Sequence, residues 1–182
     1  MLLKRTIYKG MHYSYWPGKI YWADKIDVLN TTWEVKFDEN CLYEIEEKSC
    51  VNKLFGYSFG LFGVHEESIR IGWAAEGEAI ILYSYIYTGG KLHKSKIYTC
   101  KPGITYKINL RLTNLGQSWD ASIHITDPEL QQTKMFWCEF ELKPFKFLLS
   151  LGIYFGGHSR APHTMNIYVN DRYDRKHLSR SV

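Results

Sequence analysis

Three tyrosines at alternate positions of one predicted strand could form a binding surface. Tyr83, Tyr85 and Tyr87 fall on one face of that strand, because successive side chains of a strand point to opposite faces. Arg70 takes the corresponding face of the preceding strand, and a hairpin would place Tyr83 and Tyr85 beside it. Aromatic rings offer a stacking surface, and the planar guanidinium fork binds carboxylate or phosphate. The pattern therefore predicts a site for a flat, polar ligand.

Two later strands offer further polar side chains opposite their apolar residues. Arg111 lies on a strand predicted over Thr105–Thr113, and His124 lies on one predicted over Trp119–Thr126. If these strands neighbour the tyrosine strand, both side chains share its outward face. Any antiparallel sheet with one solvated face shows such alternation, however, and tyrosine pairs stabilise sheets without binding a ligand. A purely structural role therefore stays open as the alternative.

Two loops are expected to edge this face. Residues Gly10–Gly18 form an unusually aromatic connection that contains His12 and Tyr13. Residues Gly156–His163 follow an apolar strand, and their two adjacent glycines let the backbone turn tightly or approach a ligand closely. His163 could meet an anion there, with a structural or merely exposed role as the alternative.

Catalysis would need an acid and a base within reach of one ligand. The side chains available for a lyase-type mechanism are Arg70, Tyr83, Tyr85, His65 and His163. No spacing fixes them together, and the Glu-x-Asp-x-x-Glu motif of retaining glucanases is absent. The histidines lack the close spacing that anchors a metal site, and no CxxC pair indicates a zinc site. We therefore expect no catalytic residues, no metal and no cofactor.

Four segments resemble a family of small β-sandwich proteins from Bacteroidota and their phages: Gly10–Ser14, Lys53–Gly60, His65–Trp73 and Tyr154–Met165. The shared pattern is a His-Tyr-Ser start, a Lys-Leu-Phe-Gly-x-Ser-Phe-Gly run, a His before Ser-x-Arg-x-Gly-Trp, and a late Tyr-Phe-Gly-Gly with Ala-Pro-His. The resemblance spans most of the chain and implies positions of interest but no mechanism. These positions are His12, Tyr13, Ser14, His65, Arg70, Trp73 and His163. More loosely, the expected architecture is similar to concanavalin-like lectins, glucanases and alginate-lyase sandwiches.

Composition and turn rhythm predict an all-β fold. Aromatic residues make up 16% of the sequence, and 14 Tyr against 9 Phe and 6 Trp are typical of half-exposed sheets. Turn signals recur roughly every ten residues, and no window of helical length shows a 3.6-residue apolar period. Because the expected strands exceed one open sheet, we predict a two-sheet antiparallel sandwich of the jelly-roll, concanavalin-like type. The most apolar stretch, 145–155, is predicted to be a strand buried on both sides. The predicted core is Ile69, Ile71, Trp73, Ile108, Leu110, Ile123, Ile125 and Leu149.

A single domain is expected over residues 1–170, followed by a basic tail over 171–182. The net charge is +4, and the tail side chains that carry much of it are Arg172, Arg175, Lys176 and Arg180. Because the body lacks a basic stripe, nucleic acid is not an expected partner. No apolar run reaches the ~18–20 residues of a membrane span, and the first residues do not form a signal peptide. We expect a cytoplasmic protein with four reduced thiols or, given a phage origin, a virion protein.

The function favoured by these features is non-catalytic binding of a glycan or a nucleotide-like small molecule. The candidate ligand-binding residues are His12, Tyr13, His65, Arg70, Tyr83, Tyr85, Arg111, His124 and His163. Two alternatives stay open. One is a phage virion or assembly component, which would form a homo-oligomer or bind an assembly partner through the C-terminal tail. The other is a polysaccharide-active enzyme of the lyase type.

Overall fold

A computed structural model describes residues 1–15, 18–22, 26–44, 51–60, 63–116, 118–140, 147–157 and 159–173, without the side chains of 132, 137–140 and 171–173. This part of the chain forms two six-stranded antiparallel sheets. The helical element found in this described part of the chain is a 3-10 turn over Glu39–Cys41. None of it contains a helix long and apolar enough to cross a membrane.

The two sheets take their strands from both halves of the chain. The first sheet has the spatial order β1 (Leu3–Ile7), β12 (Met165–Tyr173), β3 (Val28–Phe37), β8 (Thr105–Asn114), β9 (Trp119–Asp127) and β10 (Gln132–Phe140). The second sheet has the order β2 (Ile20–Trp22), β11 (Phe147–Leu151), β4 (Asn52–Phe59), β5 (Ser68–Glu76), β6 (Ala79–Thr88) and β7 (Lys91–Cys100). The predicted two-sheet antiparallel sandwich is therefore confirmed.

Aromatic rings from facing strands join the two sheets into one core. Trp33 of the first sheet stacks on Phe55 of the second at a centroid distance of 3.9 Å. Trp119 meets Phe59 edge to face at 5.5 Å in the same interior. The predicted core residues confirmed as buried are Ile69, Ile71, Trp73, Ile108, Leu110, Ile123 and Ile125.

The predicted strand over 145–155 differs from the structure in both length and burial. β11 ends at Leu151, and its side chains alternate between buried and half-buried positions. Leu148 points into the core and is fully buried, whereas Leu149 is half-buried on the outward face. The assignment of Leu149 to the core was wrong. The apolar run combines a strand that has only one buried face with the irregular segment after it, so apolar character alone did not show which side chains point inward.

The structure describes only part of the predicted C-terminal tail and two of the four thiols. β12 continues to Tyr173, three residues into the predicted tail, and residues 174–182 lie outside the described part of the chain. Cys41 and Cys100 are free, buried thiols, and burial raises the pKa of Cys41 to about 12. The side chains of Cys50 and Cys138 lie outside the described residues, so their reduced state stays a prediction.

Candidate functional site

The hairpin of β5 and β6 places Arg70 directly opposite Tyr85. These two residues are register partners, and Tyr83 is paired with Gly72 two positions along the strand. Ile69 and Ile71 point into the sandwich, so Arg70 and Tyr85 occupy the outer face of the second sheet. The predicted placement of Arg70 beside the tyrosine strand is therefore confirmed.

A cavity of about 1020 Å³ lies over this outer face. Its floor comes from β4, β5 and β6, and its walls come from three connecting segments. The residues that line it are Tyr13, Ser14, Tyr15, Lys53, Gly63, Val64, His65, Glu66, Arg70, Tyr85, Tyr87, Leu151, Gly152, Ile153, Tyr154 and Gly157. Both loops that were expected to edge the site contribute, through Tyr13 to Tyr15 and through Gly157. The volume is slightly above the range for small-molecule sites, about 300–1,000 Å³.

Arg70 is a deeply buried charge in this cavity. Its side chain is 8% exposed, and its Nη2 donates a hydrogen bond of 2.9 Å to the carbonyl oxygen of Gly152. Its buried Nε has no hydrogen-bond partner among the described residues. Burial lowers the pKa of Arg70 to about 10, against the opposing effect of the Tyr85 and Tyr154 hydroxyls. The guanidinium therefore stays positively charged at neutral pH.

Lys53 adds a second buried cation to the cavity. It is 7% exposed, and its Nζ donates to the carbonyl oxygen of Gly156 at 3.2 Å. The same Nζ lies 4.7 Å from the centroid of the Tyr85 ring and 5.8 Å from that of Tyr154, both within cation–π range. Two backbone hydrogen bonds pair Lys53 with Tyr154 and hold the segment after β11 against β4.

Sequence reasoning missed Lys53 although a signal was present. Every residue of β4 is buried, so a lysine in this strand lies where a charge is costly. An irregularity in the pairing of β4 with β5, between Lys53 and Phe55, turns the lysine outward while Leu54 and Phe55 stay in the core. A lysine within an apolar run could have indicated the site. The irregularity in strand pairing that turns this lysine outward could not be predicted from the alternation of apolar and polar residues.

Aromatic side chains form the rim of the cavity. Tyr13 is 61% exposed and stacks near Tyr154 at a centroid distance of 6.5 Å. His12 stacks on the same Tyr154 ring at 5.3 Å, with its Nδ1 3.1 Å from the carbonyl oxygen of Phe155. His65 meets Tyr87 edge to face at 5.3 Å on another wall. The rim therefore offers ring faces and polar edges side by side.

Backbone geometry keeps the loop at Gly156 close to the cavity floor. Gly156 has a φ of +67°, and a Cβ there would collide with the carbonyl oxygen of Ser159. Its N–H donates to Asn52 Oδ1 at 2.6 Å, while its carbonyl accepts from Lys53. The expectation that this glycine permits a tight turn is therefore confirmed.

Five candidate residues do not line the cavity. Tyr83 points along the same face but donates its hydroxyl hydrogen to Glu76, and His12 supports Tyr154 from outside the lining. His163 binds the carbonyl oxygen of Asn40 through Nε2, at 2.8 Å. The last two are Arg111 and His124.

Arg111 and His124 were wrongly placed beside Arg70. They lie on β8 and β9, which belong to the first sheet, so their outward face is on the opposite side of the sandwich. Trp73, one of the positions implied by the family resemblance, points inward and packs against Phe37 in the core. Ser14, another of those positions, lines the cavity.

One short motif in the sequence has no catalytic geometry. Gly56-Tyr57-Ser58-Phe59-Gly60 matches the Gly-x-Ser-x-Gly pattern of nucleophilic serines, which needs a sharp strand-to-helix turn that exposes the hydroxyl. Ser58 instead lies within β4, is fully buried and donates to the carbonyl oxygen of Gly60 at 3.1 Å. Across the described ranges, no cluster of His, Cys, Asp or Glu is arranged to hold a metal ion.

Comparisons with known proteins concern the fold. No family model matches the sequence, and no curated protein matches it. The CBM2 module of the evolved Dit protein of Lactobacillus casei BL23 phage J-1 is 10% identical with a TM-score of 0.52, over 93% of this chain and 74% of that chain. An alginate lyase from Pseudomonas aeruginosa is 8% identical with a TM-score of 0.48, over 85% and 68%. Peanut lectin is 8% identical with a TM-score of 0.44, over 80% and 71%. The fold that this chain shares with the CBM2 module is thus the two-sheet β-sandwich described above.

Proposed function

We propose that this chain is a non-catalytic carbohydrate-binding β-sandwich and that a saccharide binds in the cavity on the second sheet. The observation that carries this proposal is the cavity itself, in which exposed tyrosine rings surround a buried, incompletely hydrogen-bonded arginine. The shared fold with a CBM2 module is compatible with this function, but the argument rests on the side chains.

Sugar chemistry matches the two kinds of surface in the cavity. The apolar faces of a pyranose ring can stack on tyrosine rings, and Tyr13 presents such a surface at the rim. Sugar hydroxyls need both donors and acceptors. The lining supplies them through Arg70, Ser14 and the exposed carboxylate of Glu66. A nucleotide could use the same rings, and it therefore belongs in the binding panel as the competing ligand.

The lyase alternative requires a proton-transfer pair, and no hydrogen-bonded pair of that kind occurs among the described lining residues. His65 and Tyr87 are in ring contact there, but no hydrogen bond joins them or links either to Arg70 among the described residues. Binding without turnover is therefore the function that the arrangement supports better.

The test is a calorimetric titration of the parent protein with neutral and acidic oligosaccharides and with nucleotides, followed by Tyr13→Ala. Removing this ring should weaken saccharide binding about 2- to 10-fold, since an aromatic contact contributes about 0.5–1.5 kcal/mol. Tyr8→Ala is the matched control, because Tyr8 is 64% exposed, similar to Tyr13, and lies outside the lining. Binding of nucleotides alone, or equal binding by Tyr13→Ala and the parent, would contradict the proposal.

A further inference from the structure

We infer that the ligand of this cavity is an acidic saccharide, a sugar with a carboxylate or sulfate group that binds between Arg70 and Lys53. This inference rests on the proposed carbohydrate binding and adds the charge of the ligand. Both cations are more than nine-tenths buried and line the same cavity. Such a pair of buried positive charges favours an anion over a neutral sugar.

The charge balance of the lining points in the same direction. Glu66 is the single carboxylate among the described lining residues, and its side chain is exposed at the rim. Arg70 forms no ion pair in the described part of the chain, where the salt bridges are Lys96–Glu76 and Lys101–Glu129. Among the described lining residues, the cationic side chains therefore lie on the floor and the carboxylate lies toward solvent.

Hydrogen-bonding capacity gives the second line of argument. A guanidinium has five N–H donors, and Arg70 uses one of them, toward Gly152, in the described structure. A buried donor without a partner is costly, and Nε of Arg70 is such a donor. An incoming anion would supply the acceptor oxygens that Arg70 lacks.

Cavity size indicates a saccharide that bears the anion rather than a lone inorganic ion. The volume of about 1020 Å³ greatly exceeds the needs of one carboxylate or sulfate. Tyr13 at the rim stacks near Tyr154, and the Tyr154 ring centroid lies 5.8 Å from Lys53 Nζ. One sugar ring could therefore stack at the rim while its acidic group reaches the buried charges. Arg70 would thus bind the acidic group of the saccharide, and the tyrosines at the rim would bind its sugar ring.

The experiment compares four ligands of equal length on the parent protein by calorimetry. They are tetrasaccharides of galacturonic acid, the same tetrasaccharides with every carboxylate methyl-esterified, sulfated galactose tetrasaccharides and neutral galactose tetrasaccharides. We expect an acidic ligand to bind roughly 10- to 100-fold more tightly than the ester and the neutral sugar, the range for a lost charged hydrogen bond. Whichever of the two acidic ligands binds more tightly identifies the anionic group.

Variants test whether Arg70 and Lys53 carry that preference. Arg70→Gln and Lys53→Met should each reduce the preference for the acidic over the neutral ligand, whereas Arg111→Gln on the opposite sheet should leave it unchanged. Arg70→Lys keeps the charge without the planar fork and should show an intermediate preference. Circular dichroism checks the folding of each variant. Where a buried-site variant fails to fold, the comparison of acid with ester on the parent protein decides alone.

Each outcome has a defined meaning. Equal binding of the acidic, esterified and neutral ligands overturns the inference while the proposed carbohydrate binding stands. Failure of every saccharide in the panel overturns the proposed function together with the inference. A preference for the acidic ligand that Arg70→Gln and Lys53→Met both retain in full would also overturn the inference, because the anion would then bind elsewhere.

Discussion

At the scale of single residues, Gly56 lets the backbones of β4 and β5 approach closely beside the buried arginine. Gly56 lies opposite Arg70 on β4 with a φ of +155°, and an added Cβ would lie 2.6 Å from the Arg70 Cα. The same Cβ would collide with the carbonyl oxygen of Ile69. Both obstacles are backbone atoms of a paired strand, so they cannot move aside as a flexible side chain could.

We predict that Gly56→Ala lowers the free energy of unfolding by about 3 kcal/mol or more, because overpacking against fixed backbone disrupts the pairing of β4 and β5. Urea denaturation followed by tryptophan fluorescence measures this. Gly77→Ala is the control, since Gly77 has a φ of +60° but nothing within 4 Å of an added Cβ. It should cost about 1–2 kcal/mol for the backbone conformation alone. Equal losses for the two variants would show that the space around Gly56 can expand.

At this scale the sequence predicts part of the site and omits the rest. Alternation placed Arg70 and Tyr85 on one face because both lie in regular strands joined by a short hairpin. Lys53 lies at a strand irregularity, and Tyr154 lies in an irregular segment after β11. Periodicity carries information only where the backbone is regular.

At the scale of the strand, β11 has one buried face and one half-buried face. Leu148 points into the core, and Leu149 lies on the outward side. We predict that Leu148→Ala lowers the free energy of unfolding by about 2–5 kcal/mol, through lost burial and a residual cavity. Leu149→Ala should cost about 1 kcal/mol or less, because it removes less buried apolar area. Urea denaturation of both variants measures the difference, and a larger loss at Leu149 would reverse the assigned faces.

Strand identity was easier to predict than sheet membership. Alternation correctly gave an inward Ile108 and Ile123 on β8 and β9, with Arg111 and His124 outward. The alternation of side chains does not indicate which strands are neighbours. For example, β7 and β8 are consecutive in the chain yet belong to different sheets. Sheet membership is set by long-range packing, such as the stacking of Trp33 on Phe55, which local patterns do not encode.

At the scale of the whole molecule, a buried polar contact supplements the apolar core between the sheets. The Tyr98 hydroxyl on β7 donates to Asp127 Oδ2 at the end of β9, at 2.6 Å. The other carboxylate oxygen of Asp127 accepts from the backbone N–H groups of Glu129 and Leu130. One carboxylate therefore joins the second sheet to the turn that leads from β9 to β10.

This contact predicts a defined dependence of stability on pH. The Tyr98 hydroxyl lowers the pKa of Asp127, with further lowering by the N–H groups of the turn. A carboxyl group whose pKa is lowered by folding stabilises the folded protein above its unfolded pKa of about 3.9 and loses that contribution as pH falls through its folded value. Tyr98→Phe should therefore be less stable than the parent protein at neutral pH, and the difference should shrink below about pH 4.

Urea denaturation of both proteins between about pH 3 and pH 8 measures the effect. Tyr168→Phe is the control, because the Tyr168 hydroxyl makes no hydrogen bond to the described residues. The free energy of unfolding of this variant should therefore follow that of the parent protein across this pH range. Asp127→Asn should abolish most of the pH dependence of the Tyr98 effect, since an amide has no carboxyl proton to gain. A stability difference between Tyr98→Phe and the parent that stays constant down to pH 3 would mean that the Asp127 charge does not contribute to holding the sheets together.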